Sequence, residues 1–271
     1  MSAASFDDAR ETMARRRRRA LGFKTIRLMV FYFGLLGIWQ LVAIAEYWPS
    51  YVFPGPEDVY RALKFNIDNG DLWHGMQSTM TRMLIGYSAS IVIGLGIGVV
   101  MGMFDWVDET VGSLVLGLQS LPSVTWFPLA ILWFGLNERA IIFVVLMGSV
   151  CSIAISSRSG VRSIPPLLMR ASRMFGGRTW QRVLYVIVPG MLPSMIQGLK
   201  LGWSFAWRSL LAAELLFVSL SLGHLLSIGR DLNDVAQVVA IMLVIVAIGM
   251  AVDRVLFGQA DRWVRERWGL G

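Results

Sequence analysis

The sequence predicts an all-α, polytopic membrane protein with about six transmembrane helices, and three observations carry that reading. Of its 271 residues, 55% are hydrophobic and 16% charged, with a mean hydropathy of +0.59, too apolar for an ordinary soluble domain. Apolar runs long enough to approach the roughly 20 residues that span a bilayer recur along most of the chain. Lys and Arg gather at the ends of these runs, as they do where cationic loops are retained on one side of a membrane. The net charge of +7 is therefore attributed to the bilayer surface and not to nucleic acid, because the arginines flank apolar segments instead of alternating with exposed aromatics.

Residues 1–27 form a basic tail with Arg10, Arg15 to Arg19, Lys24 and Arg27, expected on the cytoplasmic side. The apolar run Leu28 to Ala45 follows. A basic start and the small residues Ala43-Ile44-Ala45 also fit a cleavable signal peptide, but the run's length favours a retained first helix. Residues 28–257 are read as the transmembrane domain and residues 258–271 as a cytoplasmic tail, where Trp263 and Trp268 beside Arg262, Arg265 and Arg267 suit an interfacial anchor.

Residues 46–81 are polar enough for an external loop, with the turn Phe53-Pro54-Gly55-Pro56 and a short amphipathic helix from Glu57 to Ile67. The second span, Met83 to Phe104, places Gly86, Ser90, Gly94, Gly98 and Gly102 four residues apart, a small-residue ridge that lets helices pack closely. The third, Thr110 to Asn137, is interrupted by Pro122 and Pro128 and must bend or break; irregular backbone at membrane depth survives where protein or a watery cavity satisfies it. Ser123, Thr125 and Trp126 are therefore candidate liners of a pathway, with a kinked core helix as the alternative.

Ala140 to Ser157 is the fourth span, Val183 to Val218 the fifth and Val235 to Val252 the sixth. Between the fourth and fifth lies Ile164 to Pro193, in which Pro165-Pro166 suit a helix start and Gly176-Gly177 its end. The short helix, about residues 164–177, carries Leu167, Ala171 and Met174 on one face with Leu168 and Phe175 beside them, and Arg170 and Arg173 elsewhere. Taken alone it is either a docking element or a cationic membrane-surface helix. With a cytoplasmic N-terminus, five Lys/Arg fall outside (Arg61, Lys64, Arg82, Arg139, Arg230), Lys200 and Arg208 lie within span five, and the rest of the 25 are inside.

Catalytic motifs are lacking. Gly-Lys never occurs as a dipeptide, so there is no phosphate-binding loop, and no H-E-x-x-H or G-x-S-x-G is present. His74 and His224 are isolated, so no metal is assigned, and Cys151 is read as a small buried side chain. Charges at membrane depth cost about 2.5 to 3.5 kcal/mol at the bilayer centre and are functional candidates. Lys200, Ser204 and Arg208 stack along one helical line, whereas Trp203, Trp207 and Glu214 lie nearer another face. Arg208 is a candidate contact for an anionic substrate or a partner in a structural ion pair.

At this point the residues resemble a family: the permease subunits of bacterial ABC importers, in the branch serving nitrate, sulfonate, taurine and bicarbonate. Its cytoplasmic signature is Glu-Ala-Ala followed by Gly and then Pro; the corresponding residues are Arg170-Ala171-Ser172, Gly176, Pro189 and Pro193. Phe53-Pro54-Gly55-Pro56 resembles the family's external turn, Leu121 through Gly135 its proline-rich third helix, and Ala206-Trp207 with Ala213-Glu214 its fifth. Three departures stand out. Arg170 reverses the family's leading acidic charge, Ser221-Leu222-Gly223 stands where Gly-Leu-Gly is usual, and Ser123 and Thr125 replace a Pro and an Ala.

The resemblance implies a type I importer fold in a bacterial inner membrane with both termini cytoplasmic. It implies two copies forming a pore by alternating access, two cytoplasmic ATP-binding subunits docked on Leu167, Leu168, Arg170, Ala171, Arg173, Met174, Phe175 and Gly176, and an external substrate-binding protein. ATP and Mg would be held by the partners and no cofactor by this chain. Ser123, Thr125, Trp126, Ser204, Trp207, Arg208 and Glu214 would border the pathway. The competing reading is a standalone secondary transporter or channel, which would favour inverted repeats and coupling carboxylates at the midplane; Glu214 alone is a thin proton or sodium site.

Overall fold

The computed structural model describes residues 26–174 and 179–268, and every regular element among them is helical. Nearly all of the basic N-terminal tail, together with Phe175 and Gly176, lies outside the described residues. The membrane-length helices are α1 (Ile26–Ile44), α3 (Asp71–Met103), α6 (Glu138–Arg162), α8 (Thr179–Leu215) and α10 (Val235–Val264). The pair α4 (Asp105–Gln119) and α5 (Ser123–Phe134) meets at 93° and supplies the sixth span if counted as one. Shorter helices are α2 (Pro56–Asp68), α7 (Pro166–Met174) and α9 (Leu222–Asp231).

Helix α6 is the axis of the molecule, packed between α3 on one side and α8 on the other. Of its most apolar window 61% is buried, against none of α1, so α6 faces protein and α1 faces outward. The small-residue ridge makes the first contact. A Cβ at Gly86 would lie 2.8 Å from Val145, one at Gly94 2.9 Å from the Val150 carbonyl, and one at Gly98 or Gly102 would overlap Ser157 or Val161. Without Cβ atoms the α3 backbone lies directly against α6, where dispersion and close approach replace the hydrophobic effect that lipid cannot supply. The same device recurs on the other side, where Gly160 abuts Met191 and Gly202 abuts Ile153.

Several spans run past the bounds that hydropathy indicates, among them α10, which continues beyond Val252 to Val264. Helix α3 starts at Asp71, well before Met83, and α6 runs to Arg162, past Ser157. In both cases the extra turns carry charges that find partners across the bundle, Arg82 in α3 and Arg158 and Arg162 in α6. Pairing offsets part of the cost that polarity alone suggests.

The two prolines of the third span act differently. The chain breaks around Pro122, whereas Pro128 lies near the start of the helix that follows, where its missing N–H costs little. At the turns, Gly70 joins α2 to α3 at φ +80° and Asn233 joins α9 to α10 at φ +56°, the left-handed region that Gly and Asn tolerate best. Side-chain caps open α6 (Asn137), α9 (Ser221) and α10 (Asp234).

Candidate functional site

The break between α4 and α5 opens a cleft of about 290 Å³ against α6 and α8. Gln119, Ser120 and Ser123 come from the broken span, Gly148, Cys151 and Ser152 from α6, and Phe205 and Arg208 from α8. Backbone released from helical bonding around Pro122 thus borders a cavity that also holds a cation. Arg208 is exposed; its Nε donates to the Ser204 carbonyl at 3.1 Å and its guanidinium stands 5.1 Å over the Phe205 ring. Both contacts lie on its own helix, so the remaining N–H groups are available to a visitor. Gly148 keeps the cleft narrow: a Cβ there would overlap Ser209 and lie 3.3 Å from Ser123.

Ser123 and Arg208 are therefore brought together, and the other pathway candidates are distributed around them. Ser204 donates to the Lys200 carbonyl at 3.2 Å, while Lys200 itself pairs with Asp253 of α10 at 3.0 Å. Trp126 packs edge-on against Phe143 at 6.3 Å, and Thr125 is exposed beside the break. Trp207 is buried and stacks on Trp203 at 6.2 Å, with Tyr87 edge-on to Trp203 at 5.4 Å, so it belongs to the core. Phe205, Ser152, Gly148 and Gln119 were not read as liners from the sequence; Phe205 and Gln119 lie about one turn before Arg208 and Ser123 along the chain, whereas Gly148 and Ser152 lie on α6, where no candidate pointed to them.

Glu214 occupies a separate site. It is fully buried at the α9 end of the bundle, where it accepts from the Thr79 hydroxyl at 2.9 Å, Arg82 Nη1 at 3.1 Å and the Gly223 N–H at 3.2 Å. Arg82 also donates to Glu138 at 2.9 Å and to the Ser219 hydroxyl at 2.8 Å. Four segments are tied by this one cluster: α3, the start of α6, the end of α8 and the loop into α9. Gly223 is required, since a Cβ there would stand 2.5 Å from that of Glu214. Ser221 gains a function that glycine could not supply, because its hydroxyl caps α9 by accepting from the His224 N–H at 3.1 Å. Arg82, counted among the cations on the outer side of the membrane, is one of the most buried cations in the described chain.

At the opposite end lies α7. Leu167, Leu168 and Met174 are 75%, 51% and 87% exposed, Ala171 is half-buried and Arg170 is exposed. The face that carries Met169 instead packs toward Ile164, Ile187 and Met191. The helix is held by one side and presents apolar residues on the other. Arg173 lies on α7, and Phe175 and Gly176 fall outside the described residues. Among the described residues no group of three His, Cys, Asp or Glu could hold a metal.

The model of the family "binding-protein-dependent transport system inner membrane component" matches residues 90–266. The taurine transport system permease protein of Escherichia coli is 26% identical over 224 residues, spanning 81% of this chain and 82% of that protein. The nitrate import permease protein of a Synechocystis strain is 24% identical over 253 residues, 89% of this chain and 91% of its own length. Among solved structures, an inward-facing methionine ABC transporter chain superposes with a TM-score of 0.62 at 20% identity, covering 71% of this chain and 94% of that one.

Proposed function

Because the chain belongs to the family of binding-protein-dependent transport system inner membrane components, we propose that it is the permease subunit of an ATP-driven ABC importer for a small anion. The observation that carries the anion class is Arg208. It lies on a membrane-length helix, faces the cleft at the broken span, and makes its recorded contacts only with its own helix. An arginine kept at membrane depth at a cost of a few kcal/mol is balanced when an anion enters beside it. Taurine and nitrate, named for two relatives, both carry a negative oxyanion group that a guanidinium can bind with paired N–H donors.

Two copies would form the pore, with α7 of each seated on a cytoplasmic ATP-binding subunit that holds ATP and Mg, and a binding protein delivering substrate on the α9 side. The exposed Leu167, Leu168 and Met174 supply the apolar grip, and the distribution of Lys and Arg favours α7 and both termini on the cytoplasmic side. ATP binding drives alternating access only to the extent that it favours one state over the other.

The test is uptake into vesicles of the reconstituted complex, with labelled taurine and nitrate as probes. Arg208→Ala should lower ATP-driven uptake about ten- to hundredfold, the loss of a charge-assisted contact, while assembly with the ATPase persists. Unchanged uptake would remove Arg208 from the substrate path. Gradient-driven uptake by the chain without any ATPase would replace the importer reading by a secondary transporter.

A further inference from the structure

The end of α6 nearest α7 carries a charge cluster that neither the cleft nor the docking face uses. Arg158 and Arg162, one turn apart on α6, both pair with Asp108, and Arg162 reaches Asp105 at 2.8 Å and Asp108 at 3.0 Å. The Asp108 side chain is only 9% exposed. It lies at the start of a wide π-helical turn over Asp108–Gly112, and a Cβ at Gly112 would meet its carboxylate at 2.8 Å. Backbone geometry and the missing side chain at Gly112 together leave room for this one rotamer. Such wide turns frequently mark functional positions.

The chain from α7 to this cluster is short and stiff. Only Ser163 to Pro165 separate α6 from α7, and Ile164 is buried against Ile187 and Met191. A displacement of α7 must therefore carry the last turn of α6 with it. On the far side, α4 leads within one element to the break at Pro122 and to Ser123 in the cleft. The apolar contacts of Val107 and Val115 with Val150 and Ala154 hold α4 against α6 without fixing its register, because burial is non-directional. Paired charges do fix it.

We propose that Asp108, clamped by Arg158 and Arg162, is the positioning residue through which movement of α7 reaches α4 and the Ser123–Arg208 cleft. This rests on the importer reading, and its test separates the two. In a Cys151→Ser background, spin labels at Ser163→Cys or Leu116→Cys report the distance between the two copies of the assembled transporter, with and without ATP and vanadate. With Asp108 intact, both distances shift on nucleotide trapping. In Asp108→Asn the Ser163 shift persists and the Leu116 shift falls by at least half. The double change Arg158→Gln and Arg162→Gln removes the partners from the other side, should give the same loss, and decides the matter if Asp108→Asn does not assemble. A Leu116 shift that survives removal of the clamp, or a Ser163 shift lost together with it, overturns the proposal. If neither site shifts with Asp108 intact, the importer reading fails instead.

Discussion

Replacing Glu214 by glutamine isolates the energetics of the buried cluster, because the two side chains have nearly the same volume and no cavity is created. What changes is the environment of Arg82, whose side chain is 4% exposed and whose remaining acid, Glu138, is 66% exposed. Removing one partner of a buried pair typically costs about 3–5 kcal/mol, since the other charge is left desolvated. Arg82 keeps Glu138 at 2.9 Å and Ser219 at 2.8 Å, so the lower figure applies. About 3 kcal/mol corresponds to roughly a hundredfold in the folded-to-unfolded ratio. Denaturant titration of the chain in mixed micelles reads this directly. Removing both charges, as Glu214→Gln with Arg82→Met, should recover much of the loss, because two apolar or neutral groups no longer desolvate an unpaired ion. A single change costing less than about 0.5 kcal/mol, or a double whose cost is the sum of its parts, would refute the claim that the pair ties the helix ends together.

Three further outcomes follow from the packing and the docking face. Gly98→Val should cost about 1–3 kcal/mol by forcing α3 away from the Ala154 carbonyl and Ser157, whereas Gly96→Ala, with nothing within 4 Å of its Cβ, should be near neutral; thermal unfolding of the pair tests whether the ridge or mere helix flexibility matters. If α7 docks on an ATP-binding subunit as proposed, Leu167→Asp with Met174→Asp should reduce co-purification of that subunit at least about tenfold, since each side chain would forfeit about 1.5–3 kcal/mol of burial while α7 itself, held by Met169, stays folded. Arg170→Glu restores the charge usual in the permease family: weaker assembly with the native ATP-binding subunit would show that the partner has adapted to arginine, and unchanged assembly would show that apolar shape carries the grip.

The residues themselves determined the class and much of the architecture. Hydropathy, prolines at Pro122 and Pro128 and the four-residue spacing from Gly86 to Gly102 are local properties, and each maps onto a helix, a break or a contact face without knowledge of what lies opposite. The amphipathic face of α7 is likewise periodic and was legible, although which side would be held by Ile164 and Met191 was not. Only the tertiary structure decided the fate of the charges. Arg82 and Glu214 are separated by more than a hundred residues, Ser123 and Arg208 by more than eighty, and a charge read alone signals a loop or a substrate site. Whether it is either depends on a partner whose distance along the chain carries no local signature. Arg82 thus proved to lie inside a long helix, Glu214 within a tie between helix ends, and Arg208 in the cleft with no ion-pair partner among the described residues, because desolvation and pairing are set by three-dimensional neighbours and not by sequence position.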